Sequence, residues 1–220
     1  MQVSSKFSSA SVVPYFYNVK ENESYYLVGK ESMHGRWGDF GGKKENEDTR
    51  PSTTAMREFT EETIGAFPLV RENISLNLKG TIKIQVDMHV LYVTTLSVGK
   101  THPQNPKEQL NFKQACNVRQ LHSQNLKQQG LKNCQKEKTE LAWIKGSELL
   151  SNLNTPSNGK AWTNNFSLYE APEQTAPKIL GQPIRGCMGD AFCKIKDSST
   201  DFDLQIQTGF LNLHGSQIKI

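Results

Sequence analysis

No apolar run in the 220-residue sequence approaches the roughly 20 residues that cross a bilayer, so no membrane-spanning helix is expected. The first residues, MQVSSKFSSASVV, lack the long apolar stretch of a secretory signal, and export by the ordinary route is not expected. Cysteine is scarce. Cys116, Cys134, Cys187 and Cys193 form no CxxC pair and are too few to staple a chain of this length, which points to free thiols in a reducing, cytoplasmic compartment. Neither a P-loop nor a nucleophile elbow is present. His34, His89, His102, His122 and His214 show no HxH or HxxxH spacing, which argues against a zinc-type site, and no cysteine sits in a recognisable activated setting. Repeats and low-complexity tracts are absent as well.

What the chain does contain is enough apolar residue for a core, 35% of the composition, at a mean hydropathy of -0.60. Its length suits one domain with an elaboration. The net charge of +4 is mildly basic and permits attraction to phosphates. That charge is concentrated between Gly99 and Glu140, where Lys100, Lys107, Lys113, Arg119, Lys127, Lys132, Lys136 and Lys138 face only Glu108, Glu137 and Glu140. This Gln/Asn-rich insert reads either as a solvated excursion or as a phosphate-facing arm. Leu110, Cys116, Val118, Leu121 and Leu126 in it could form the apolar stripe of a helix.

Residues 12–19 (VVPYFYNV) and 25–29 (YYLVG) read as two strands about a polar turn. The segment HGRWGDFGGKKENEDTRP follows, a loop in which Gly35, Gly38, Gly41 and Gly42 let the backbone turn tightly beside a ligand. Pro51 and the hydroxyl run Ser52, Thr53 and Thr54 start a helix to about Thr63, stopped near Gly65 and Pro68. TIKIQVDMHVLYV at 81–93 predicts a strand or hairpin, Leu141–Ile144 a short strand, and GSELLSNL a helix. The tail from Asn154 holds turn clusters (NTPSNGK, GQPIRG) and a last alternating segment, DFDLQIQTGFLNLHGSQIKI, expected to add strands.

At 100° per residue, Glu58, Glu61 and Glu62 fall at about 0°, 300° and 40° on the helix, three carboxylates on one face. Met56, Phe59 and Thr63 make a separate apolar face, at about 160°, 100° and 140°, suited to docking on a sheet. Clustered like charges repel unless something positive neutralises them. A hard divalent cation, taking oxygen ligands and shared with substrate phosphates, supplies that charge. The glycine pair upstream would let a backbone carbonyl reach the same ion, and Arg57 could hold a carboxylate in place.

The segment Gly41–Gly65, with its core Arg57-Glu58-Phe59-Thr60-Glu61-Glu62, resembles the Nudix box, and Ala55 stands where that family has a small residue. One extra residue lies between Gly42 and Arg57, so the family's early glutamate position falls on Thr49 and its role passes to Glu47 or Asp48. A second extra residue lies between Glu62 and Gly65, again at a helix boundary, where loops absorb insertions. The resemblance extends to Lys30, to Arg36-Trp37 and to ELAWIKGSELL at 140–150, covering roughly residues 10–150.

The resemblance implies an α/β fold, a Nudix-type α/β/α sandwich around a mixed sheet. Its domain would span residues 10–153, with the insert at about 99–140 and a C-terminal extension, 154–220, packed on it. It implies a hydrolase acting on a diphosphate bond in a nucleoside diphosphate-X or related small molecule, with Mg²⁺ or Mn²⁺ held by Gly41, Glu58, Glu61 and Glu62. Arg57, Glu61, Glu62 and Glu137 become the catalytic candidates, Glu140 being the alternative to Glu137. Lys30, Arg36, Trp37 and Phe40 become substrate-binding candidates, with Trp37 and Phe40 either stacking on a base or packing in the core. RNA is the alternative partner, in a decapping-type enzyme using the basic insert as a track, whereas in a small-molecule hydrolase the insert would serve as a lid over the pocket. A non-catalytic nucleotide sensor is the third reading.

Overall fold

A computed structural model of the chain describes residues 6–18, 21, 23–66, 82–95, 112–152, 162–171, 179–185, 188–193 and 217–218. Strands β1 (Ser9–Asn18) and β2 (Glu23–Glu31) form the antiparallel pair expected from their β-branched and aromatic runs. β3 (Trp37–Gly38) and β4 (Phe40–Lys43) follow, then helix α1 (Pro51–Glu62) and the hairpin β5 (Ile82–Val86) and β6 (His89–Thr95). The hairpin reverses through Asp87, whose φ of 52° is left-handed. Next come helix α2 (Phe112–Asn125), a 3-10 turn (Cys134–Lys136), β7 (Lys138–Lys145) and α3 (Gly146–Asn152). β8 (Trp162–Leu168), β9 (Ile179–Ile184), a helical stretch at 188–193 and β10 (Gln217–Ile218) complete the described elements.

The strands form one mixed sheet: β1 runs parallel to β6 and antiparallel to β2 and β4. Its central strands alternate between two cores, as the period of two requires. Tyr25, Leu27, Val90, Leu141 and Trp143 point to one face, where Ala55, Met56 and Phe59 of α1 and Val118 of α2 cover them. Tyr26, Val28, Leu91, Ala142 and Ile144 point to the other, where Leu149 of α3, Phe166, Ile184 and Phe192 pack. Strands buried on both faces read as continuous apolar runs, which is why YYLV and LAWI carry so little polar character. Among the described residues no helix is long and apolar enough to cross a membrane.

A fork in the sheet prepares the site. β1 and β2 pair only from Tyr15 to Asn18 against Glu23 to Tyr26, and beyond that they part. β4 takes up the free half of β1, with Gly41 opposite Ser11, and β3 takes up β2 at Gly29 and Lys30. Part of the glycine segment expected to be a loop, Trp37–Gly38 and Phe40–Lys43, is therefore strand, wedged between the two. GQPIRG is likewise corrected: most of it is β9, held parallel to β3 at Trp37 and Ile184. β7 starts at Lys138, three residues earlier than the expected Leu141. NTPSNGK, Pro68, insert residues 99–111 and all of the terminal segment except Gln217–Ile218 lie outside the described residues.

Candidate active site

Helix α1 begins at Pro51, whose missing N–H costs nothing in a first turn. Ser52, Thr54, Ala55, Met56 and Phe59 are buried against β1, β4 and β6, with Phe59 meeting Phe40 edge-on at 5.0 Å. At the other end Thr63 closes the helix, and Ile64 and Gly65 both take left-handed φ, 53° and 65°, so the extra residue is absorbed where the chain turns off. Helix α2 completes this end. His122 Nε2 lies 3.2 Å from the Glu62 carbonyl and Asn125 Nδ2 donates to the Ile64 carbonyl at 3.0 Å, meeting carbonyls that the last turn leaves without helical partners. Burial holds the His122 imidazole below its ordinary pKa, as suits a neutral cap.

Arg57 is the hub of the polar face. Its guanidinium donates to the Lys43 carbonyl at 2.9 Å and to Asp48 at 3.0 Å, and stands 2.9 Å from Glu58 Oε1 and 3.4 Å from both Glu45 and Glu61. Asp48 is 3% exposed and also accepts from Thr54 Oγ1 and from the Glu45 N–H. Of Glu47 and Asp48, Asp48 is the acid that turns inward to hold Arg57. Burial works against its charge, but the Glu45 N–H, Arg57 and Thr54 outweigh that and hold its pKa below the ordinary value. A carboxylate with a lowered folded pKa contributes stability above the ordinary range, about pH 4, and loses it as pH falls through the folded value. Asp48→Asn should therefore lower the melting temperature at neutral pH, with a deficit that narrows on acidification to about pH 3. Thermal melts across that range check it; a deficit independent of pH would show that the Asp48 charge is not engaged.

Glu58 and Glu62 face a cleft of about 770 Å³. Glu62 is 2% exposed, accepts from the Gly41 N–H at 2.9 Å and lies 3.5 Å from Lys138 Nζ. Gly42 presses on Glu58 so closely that a Cβ there would fall 2.4 Å from Oε1, which is why glycine occupies the wedge. Burial raises the pKa of both carboxyls, and neighbouring carboxylates add to it: Glu61 and Glu137 for Glu58, and Asp39, Glu58 and Glu137 for Glu62, which is pushed up to about 8 although Lys138 opposes the shift. Glu137 also lines the cleft, its carbonyl accepting from the Ser32 N–H at 2.9 Å.

Several sequence expectations are redistributed. Glu61 does not join Glu58 and Glu62 in the cleft lining; it turns toward Arg57 and raises the pKa of the Cys134 thiol, which burial already elevates. Glu140 is tied to Lys30 at 3.0 Å and to Arg119 at 3.4 Å, so of the two late glutamates only Glu137 reaches the cleft. Lys30 pairs with Glu140 and does not line the cleft, and Arg119 pairs with Glu140 and Glu170. Trp37 and Phe40 are 0% exposed and belong to the two cores, so neither offers a stacking face. Of the four substrate-binding candidates Arg36 alone lines the cleft, and Gly41 lines it from β4. Among the charged cleft residues that escaped the sequence reading are Glu31, Lys136 and Lys138, the two lysines counted only as insert charge, and Arg185, in the tail. The β-period could not have flagged Lys138, because a register shift in the β2–β7 pairing at Lys30 and Glu31 takes it off the face that Ala142 and Ile144 define and sets it beside Phe40 and Glu62.

Oxygen donors suit a hard divalent cation, and Glu58, Glu62 and Glu137 are oxygen donors on one cleft. Among the described residues no three His, Cys, Asp or Glu side chains stand close enough together to enclose an ion. Magnesium does not require that, being held commonly by one or two carboxylates with water and substrate phosphate. The donor set fits such an ion.

No family model matches the chain, and no curated protein matches it. Among solved structures, the crystal structure of a MutT/nudix family protein from Enterococcus faecalis is similar over 93% of this chain and 67% of that one, at 12% identity and a TM-score of 0.44. A likeness that distant carries no argument about activity.

Proposed function

We propose that this chain is a metal-dependent hydrolase of the diphosphate bond in a small phosphorylated substrate of the nucleoside diphosphate-X type, built on a Nudix-like α/β/α sandwich. The observation that supports it is the cleft itself: Glu58, Glu62 and Glu137 stand in one cavity with Arg36 and Lys136. In this reading Glu58 and Glu62 hold Mg²⁺ or Mn²⁺. The bound ion would neutralise the diphosphate and ease deprotonation of the attacking water. Arg57 fixes Glu58 through the 2.9 Å contact, and the Gly41 N–H fixes Glu62 at Oε2, so the donors are oriented before substrate arrives. Glu137, anchored through its backbone to Ser32, takes the proton from the attacking water. Lys136 meets the charge on the phosphate oxygens of the hydrolysed bond.

Incubation with a panel of diphosphate compounds and Mg²⁺ or Mn²⁺, with products resolved by chromatography, tests this reading. Release of two phosphate-bearing fragments from one substrate class is expected, and an inert panel would overturn it. Arg57→Ala is expected to slow that reaction by about tenfold, because a carboxylate without its anchor must be reoriented in each turnover. A rate equal to the parent's would reduce Arg57 to a structural tie between α1 and the Lys43–Asp48 segment.

A further inference from the structure

Glu31, at the end of β2, holds two guanidiniums at once: Arg36 Nε at 3.3 Å on one carboxyl oxygen and Arg185 Nε at 3.5 Å on the other. All three side chains line the cleft described above, and both arginines stand about 30% exposed, at 30% and 32%. Their backbones are locked to each other through β3. Arg36 precedes Trp37, whose carbonyl accepts from the Arg185 N–H at 2.7 Å. The Arg185 stem lies on Gly38, where a Cβ would meet it at 2.9 Å, so the residue that brings a tail arginine to the cleft is itself a glycine. Behind the pair, Asp39 is 0% exposed, with Arg185 Nη1 at 3.6 Å and the His89 imidazole Nε2 at 3.8 Å.

We infer that Arg36 and Arg185 form a phosphate-binding clamp, set by Glu31, that takes a phosphate group of the substrate other than the two of the hydrolysed bond. This rests on the hydrolase reading above and names the substrate class: molecules with at least three phosphate groups. Neutralisation of Glu31 and Asp39 alone does not require what is seen. Glu31 meets each guanidinium through Nε alone, at 3.3 and 3.5 Å, contacts longer than the 2.7–2.9 Å of a strong charge-assisted hydrogen bond, so it orients the two side chains without pairing bidentately with either. A phosphate dianion supplies the oxygens for two forks, and its charge suits a cleft wall carrying Lys136 as well. The third phosphate has two sources, the end of a triphosphate chain or a phosphate monoester on X, and the chemistry at the clamp is the same for both.

The test uses the full chain and two charge-conserving substitutions, Arg185→Lys and Arg36→Lys, which keep a cation beside Asp39 and Glu31 but remove the planar fork. Thermal melts verify folding, and Arg36→Lys, farther from buried Asp39, serves if Arg185→Lys is unstable. Calorimetry with tripolyphosphate in chelator-treated, metal-free buffer should show binding by the parent chain and an increase of about tenfold or more in Kd for each variant. Parent-like Kd values, or no binding by the parent, would overturn the clamp. In kinetics with metal, KM for a nucleoside diphosphate sugar phosphate or for a nucleoside triphosphate should rise by at least about tenfold in the variants relative to KM for the unphosphorylated nucleoside diphosphate sugar. Which of the first two responds identifies the source of the phosphate. Equal changes for all three substrates would make the arginines structural and sink the proposal. Weakened tripolyphosphate binding in a chain that hydrolyses no diphosphate would keep the clamp and discard the hydrolase reading.

Discussion

Glu62→Gln and Glu58→Gln should each lower the rate of diphosphate hydrolysis by at least about a hundredfold at limiting metal, while Glu61→Gln should cost far less. The asymmetry follows from where one helix face ends up. Glu58 and Glu62 enter the cleft, whereas Glu61 turns to Arg57. Each substitution retains shape but removes an anionic donor, and Glu62→Gln also removes the charge that the Gly41 N–H and Lys138 both address. Folding should survive, since the amide introduced by Glu62→Gln still offers a carbonyl oxygen to the Gly41 N–H. Steady-state rates across a metal titration, with circular dichroism as the control, measure this. Near-parent rates for Glu62→Gln, or an effect of Glu61→Gln as large as the other two, would mean that the cleft carboxylates are not the metal-holding pair.

Lys138→Met is the substitution expected to cost most in stability, with the loss largest above about pH 8, where the Glu62 carboxyl is charged. Lys138 is 1% exposed, its ammonium lies 3.5 Å from Glu62 Oε1 and 5.8 Å from the centre of the Phe40 ring, and its stem packs on Gly29. Methionine refills the stem's volume but leaves Glu62 buried among Asp39, Glu58 and Glu137 with no cation beside it. Removing one partner of a buried pair costs more than removing both. The double variant Lys138→Met with Glu62→Gln should therefore recover most of the loss, a coupling that urea denaturation of the four proteins in the cycle would read out. If the two losses simply add, the ammonium and the carboxylate do not depend on one another.

Much of this was legible in the residues. The apolar, β-branched and aromatic runs YYLV, HVLYV and LAWI placed the strands, Pro51 and Gly65 bracketed the helix, and the docking face of Met56 and Phe59 followed from the helical period. Local rules sufficed there because each element buries a face that its own period defines. The same rules put Glu58, Glu61 and Glu62 on one arc, but an arc of about 100° is wide enough for one of its members to face a different neighbour. The sequence also left Trp37 and Phe40 between stacking and packing, and the insert helix between arm, lid and excursion. Burial of both rings decides the first. For the described part of the insert, the contacts of His122 and Asn125 with the end of α1 show a brace on the acidic helix.

By itself, then, the sequence determined the type of nearly every central element and the chemical character of the acidic helix, since both depend on neighbours within one turn or one pleat. Only the tertiary structure decided which acids share a cleft, that Asp48 turns inward to Arg57, and that Lys138 and Arg185 belong beside them. The reason is geometric. β1 and β2 separate after Tyr15 and Tyr26, β3 and β4 fill the fork, and β9 arrives beside Trp37 from far along the chain, at Ile184. Contacts made across such separations leave no periodicity in the sequence.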